Sequence, residues 1–143
     1  MLAFKLHIPR IIEFVKKESD EILQLKALQT LALISSEPQL HEVLFRYNIL
    51  DLMVQFFEKS QEMEMWEASL VVLNQICFEW KDDFTEKKVI LQKFWQKREN
   101  LELLCKCANI EDGAISIIAN IFSLLATISS INTSWNCLFC VCN

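Results

Sequence analysis

Apolar residues recur along this chain every three or four positions, over stretches too long for strands. In residues 7–19, HIPRIIEFVKKES, the side chains of Ile8, Ile11, Ile12, Phe14 and Val15 are spaced for helix, and Leu2, Phe4 and Leu6 precede them. Pro9 suits a first turn, where the missing N–H has no intrahelical acceptor to lose, so a helix starting at Pro9 is predicted. Ser19-Asp20 is a break rich in capping side chains. From Ile22 the apolar positions Ile22, Leu25, Leu28 and Leu31 follow every three residues, with Ala27 and Ala32 as small contact points. This second helix is expected to end at Ser35-Ser36-Glu37-Pro38, because proline disfavours helical backbone before it. Residues 39–47 predict a short helix with Leu40, Val43 and Leu44 on one side. Asn48 tolerates the left-handed conformation that closes a helix. Residues 49–59 resume with Leu52, Met53, Phe56 and Phe57. After Ser60-Gln61, residues 63–80 carry Trp66, Leu70, Leu73, Ile76 and Cys77. A polar interruption at 81–86 follows, then helical patterns over 89–96 and 101–107. Ile110-Glu111-Asp112-Gly113 breaks these, and 114–131 is the last strong apolar segment, before the tail NTSWNCLFCVCN.

The pattern repeats. Residues 7–19 align with NILDLMVQFFEKS at 48–60, shifted by 41. ALQTL at 27–31 aligns with SLVVL at 69–73, shifted by 42. ENLELLCKC at 99–107 and IIANI at 117–121 form a third, looser copy, its larger offset absorbed by the polar 81–86 interruption. A period near 40 with about three helices per unit is the signature of a solenoid, in which one unit buries its apolar faces only by stacking on the next.

This unit resembles an armadillo repeat. That family places A-L-x-N-L in a long third helix. A polar turn, a short helix, a turn residue that is usually Gly and an I-x-x-L-V-x-L-L helix follow. Ala27-Leu28-Gln29-Thr30-Leu31 matches the third-helix motif, with Thr30 where Asn is usual and Val72 and Asn120 at that place in the later copies. Asn48 stands at the usual Gly, and residues 49–57 fit the second-helix motif. The resemblance covers most of 6–129. It implies an all-α fold, a short right-handed α-solenoid of about three armadillo-like repeats over residues 1–131, followed by a Cys-rich apolar tail at 132–143. In peptide-binding members the third helices line a concave groove, where Asn side chains clamp a bound backbone, since an amide offers both donor and acceptor. Only Asn120 remains of those three positions, so the chain departs from a ladder-type site. The resemblance implies a non-enzymatic scaffold holding a segment of a protein partner on stacked helices. By repeat position, the candidate contact residues are Lys26, Gln29, Thr30, Glu67, Asn74 and Asn120.

Composition narrows the alternatives. One Gly and two Pro in 143 residues argue against a sheet-rich fold with frequent tight turns. Gly113 is the single glycine, so a dinucleotide fingerprint or a P-loop has no basis here. A net charge of −5 predicts no nucleic-acid partner. Lys81, Lys87, Lys88, Lys93, Lys97 and Arg98 are interleaved with Asp82, Asp83 and Glu86, the pattern of a solvated helix face. His7 and His41 are the two histidines, neither beside a nucleophile motif, and His41 reads as a surface residue. No catalytic residue and no cofactor are expected. Cys105, Cys107, Cys137, Cys140 and Cys142 could supply thiolates to zinc. Side chains at i and i+2 of a helix point about 200° apart, however, and mostly free thiols with no metal site are the preferred reading.

The N-terminal residues lack a secretory pattern, which predicts a cytoplasmic or nuclear protein. Residues 113–143 carry no charge. The 114–131 segment is near the lower length limit of a membrane span, but Ser116, Asn120, Ser123, Thr127, Ser129 and Ser130 favour a packed helix. A tail-anchored membrane adaptor spanning 114–131 is the alternative. The apolar tail, with Trp135, Leu138, Phe139 and Val141, points to a piece or short isoform of a longer repeat protein, or to self-association through uncapped repeat ends.

Overall fold

A computed structural model describes residues 2–17, 19–60, 62–78, 84–108 and 115–131, with side chains from residue 5 onward. The fold is all-α, and no strand occurs among the described residues. The helices are α1 (Leu2–Lys17), α2 (Glu21–Ile34), α3 (His41–Arg46, entered through a 3-10 turn at Pro38–Leu40), α4 (Ile49–Lys59), α5 (Met63–Cys77), α6 (Lys87–Gln96), α7 (Arg98–Ala108) and α8 (Ile115–Ile131). The 132–143 tail, with Cys137, Cys140 and Cys142, lies outside the described residues, as does Gly113.

Local chemistry sets most boundaries. The Asp20 carboxylate accepts from the N–H groups of Ile22 at 2.9 Å and Leu23 at 3.2 Å, satisfying two orphan donors of α2. Such a cap stabilises a helix by about 1 kcal/mol. At the other end Ser35 N–H bonds Leu31 O at 2.9 Å, and Glu37 is already extended at φ −101°, ψ 107°, as the residue before a proline should be. Asn48 takes φ 56°, ψ 46°, the one positive φ among the described non-glycine residues, and this left-handed residue turns α3 into α4. Asparagine bears that conformation at low cost.

One expectation fails here. The first helix does not begin at Pro9; α1 runs from Leu2 to Lys17 with Pro9 inside it. Proline's fixed φ is helical, and what it removes is one backbone hydrogen bond. Ile8 and Ile12, both fully buried, flank the proline and hold the segment against the core. Burying each is worth about 1.5–3 kcal/mol, comparable to the proline penalty.

The helices pack in an order that follows the sequence repeat. α2 packs on α5, and α5 on α8. Each also has a partner just before it in the chain: α1 on α2, α4 on α5, α7 on α8. α4 touches α7 as well. α5 is therefore the middle layer. One apolar cluster runs through all three layers, built from Leu28, Leu31 and Ile34 of α2, Leu70, Leu73 and Ile76 of α5, and Ile117, Ile121, Leu124 and Ile128 of α8. The α8 residues fall at i, i+4, i+7 and i+11, one stripe of a helix. That stripe is spent on the core, and among the described residues no helix is long and apolar enough to cross a membrane.

Candidate protein-binding surface

The three third-helix candidates on α2 are all exposed: Lys26, Gln29 and Thr30. Thr30 turns its hydroxyl back to donate to Lys26 O at 2.9 Å, which satisfies the hydroxyl locally. Glu67 on α5 is exposed, while Asn74 and Asn120 are half-buried. Asn74 Nδ2 donates to the backbone carbonyl of Asn120 at 3.0 Å, tying α5 to α8.

The structure thus splits the six candidates. Asn74 and Asn120 meet at the α5–α8 joint. Lys26 and Thr30 join α1 instead, in a surface groove of about 420 Å³ lined by His7, Arg10, Ile11, Phe14, Leu23, Lys26, Ala27 and Thr30. Gln29 and Glu67 belong to neither group. The α1 part of this groove was not legible as a site. Arg10 and Phe14 lie on the exposed side of a helix whose buried side set the pattern, and the signal that could have found them is Phe14, an aromatic set off the Ile8–Ile12–Val15 stripe.

Unexpectedly, the interior holds polar chemistry. His41 was expected at the surface and is fully buried. Its Nε2 donates to Ser35 O at 2.6 Å, and its Nδ1 lies 3.2 Å from Lys87 Nζ. Since a carbonyl only accepts, Nε2 carries the proton and Nδ1 is left to accept from the Lys87 ammonium. Lys87, expected on a solvated face, is buried too, and also donates to Phe78 O at 3.0 Å. The Ser35 hydroxyl shares its proton between Ala32 O at 2.8 Å and Gln75 Oε1 at 2.6 Å. Together these groups join α2, α3, α5 and α6. Distance in sequence hides this burial from local pattern: Lys87 stands 46 residues from His41.

Cys77 sits beside this cluster. Burial pushes its thiol from the ordinary 9.0 up to about 12; the Trp95 indole and the Lys87 charge offset only part of that. Trp95 Nε1 completes no hydrogen bond. It is the one buried side-chain N or O atom among the described residues that lacks a partner. Burial likewise raises the Cys107 thiol to about 11, against the smaller pull of Lys106. Both cysteines are free, whereas Cys105 is disulfide-bonded, in part against the expectation of free thiols. Thiols held this far above neutrality are protonated and unreactive. Among the described residues, no three His, Cys, Asp or Glu side chains converge as a metal site would require.

No protein family, curated protein or solved structure matches this chain.

Proposed function

We propose that the chain is a non-enzymatic scaffold of the armadillo-like kind, a short right-handed stack of about three helical units that holds a segment of a protein partner. The observation that carries this reading is the order of packing. α2, α5 and α8 lie against one another in sequence, each with its own preceding helix alongside, and α2 and α5 are related by the 42-residue repeat of the sequence. A stack of this kind presents one side of its third helices as a continuous surface. Gln29, Glu67 and Asn120 are the contacts expected on it. Lys26, Thr30 and Asn74 stand beside them, with Asn74 holding α8 in place. Cytoplasm or nucleus is the proposed setting. The 17-residue α8, with its apolar stripe in the core, supports a packed helix over an anchor.

The test uses the full chain as bait beside a Gln29→Arg/Glu67→Arg/Asn120→Arg variant with an unchanged helical spectrum. Under the proposal, a partner held by the natural chain is lost by the variant. Retention of the same partner by both would assign binding to another surface, and retention of none by either would remove the scaffold reading.

A further inference from the structure

The α1–α2 groove has an internal precedent. Forty-two residues beyond Leu23, Lys26, Ala27 and Thr30 stand Met65, Ala68, Ser69 and Val72. On α5 those four positions are buried, against neighbours that are all helices. On α2 Leu23, Lys26 and Thr30 of the same register are exposed and Ala27 is half-buried; Leu23 is 48% exposed, and Phe14 across the groove is 44% exposed. The chain therefore covers this face with helices where it has a neighbour and leaves it bare where it does not.

The residue types differ in an informative way. Lys26 stands where α5 has Ala68. A purely apolar helix laid over α2 as one is laid over α5 would strand the Lys26 ammonium, a costly burial unless a carboxylate meets it. Arg10 faces the same groove from α1. Neither Arg10 nor Lys26 has an ion-pair partner among the described residues. The nearby Glu13 is committed to Lys17 at 3.1 Å and Lys16 at 3.9 Å. The groove thus has an apolar floor and two uncompensated cations, on a chain whose net charge is −5.

We infer that the α1–α2 groove docks an amphipathic, acidic α-helix of a partner protein. Its apolar residues, spaced i, i+3 or i+4, and i+7, lie on Phe14, Leu23 and Ala27, and its flanking Asp or Glu residues meet Arg10 and Lys26. Helix-in-groove recognition reads such anchors, and the charges set orientation and on-rate. The α8 helix of a second copy fits poorly. The apolar α8, with Ile115 and Phe122 exposed, carries no charged residue to answer the two cations. The inference rests on the scaffold reading only in taking the ligand to be protein; its deciding residues, Arg10 and Phe14, lie outside the stacked third helices.

The experiment titrates the full chain into a labelled helical peptide of about five turns, carrying leucines at heptad spacing flanked by glutamates. A matched peptide has lysine for every glutamate. Binding is read by fluorescence anisotropy, with the mass of the chain followed by sedimentation. The glutamate peptide should bind saturably and lose affinity roughly tenfold or more with Arg10→Glu/Lys26→Glu, while the lysine peptide gains affinity for that variant. Phe14→Ser should weaken the glutamate peptide as well. Equal binding of the two peptides, no binding of the glutamate peptide, or indifference to charge reversal would overturn the inference. So would a dimer that Phe14→Ser dissolves, since a second copy would then occupy the groove. Loss of partner binding in the Gln29/Glu67/Asn120 variant, with Arg10 and Phe14 variants unaffected, would keep the scaffold and remove the groove.

Discussion

α2 and α5 carry the same helical unit and meet different surroundings. Leu28, Leu31 and Ile34 match Leu70, Leu73 and Ile76, and all six are buried. The other side diverges: Leu23, Lys26 and Thr30 are exposed, where Met65, Ala68 and Val72 are buried. The middle helix is covered by α2, α4 and α8, and the outer one by α1 and α5. The side chains follow suit. Where the register is covered, it holds residues without charge; where it is open, it holds a lysine and a threonine that water can solvate. Which helices lie alongside, then, decides which members of a shared pattern become core and which become surface.

The comparison breaks most sharply at the shared core. Leu31→Asp and Leu73→Asp each place a carboxylate at a site with no exposure. An uncompensated buried charge costs several kcal/mol, of the order of the total stability. Both variants should lose their helical spectrum. A folded Leu31→Asp chain would mean that α2 does not share the α5 register.

Next in size is a pH effect that is largest at Cys77 in α5, with a smaller share from Cys107. The Cys77 thiol ionises near 9 when unfolded and near 12 when folded. Between those values the unfolded chain has released a proton that the folded chain keeps, so stability falls as pH rises. It is fully present below about 9, and the loss approaches about 1.4 kcal/mol per pH unit. Urea titrations from pH 8 to 11 should show this decline, and Cys77→Ala, though less stable throughout, should show a shallower one. Parallel declines would place the alkaline sensitivity elsewhere.

The smallest effect tests the register position by position. Val72→Thr puts a hydroxyl into a fully buried site and should cost about 1–2 kcal/mol. Thr30→Val, its counterpart 42 residues earlier, changes an exposed side chain and should stay within about 0.5 kcal/mol. Denaturant midpoints of the two single variants measure the asymmetry. Equal costs would show that α2's outer side is covered in solution.

Helix boundaries were legible because their causes are local. Pro38 stops α2, Asn48 turns α3 into α4, and Ser60 ends α4, each by backbone chemistry within a few residues. Of the candidate site, the positions of the α2 residues were legible from the sequence pattern; their exposure was not, since Ala68 and Val72 at the same register of α5 are buried. Nor was their grouping. Lys26 and Thr30 share a groove with Arg10 and Phe14, and Asn74 reaches a backbone carbonyl 46 residues away.

Periodicity and breakers, acting over three or four residues, determined from sequence alone that this chain is helical and where most helices stop. Tertiary structure alone decided what each apolar or polar position faces. Ile22 belongs to the apolar pattern of α2 yet is 71% exposed, while His41 and Lys87 look like surface residues yet are buried together. Burial depends on which distant helix arrives at a face, and a periodicity that reports only the neighbouring three or four residues cannot say whether that helix is there.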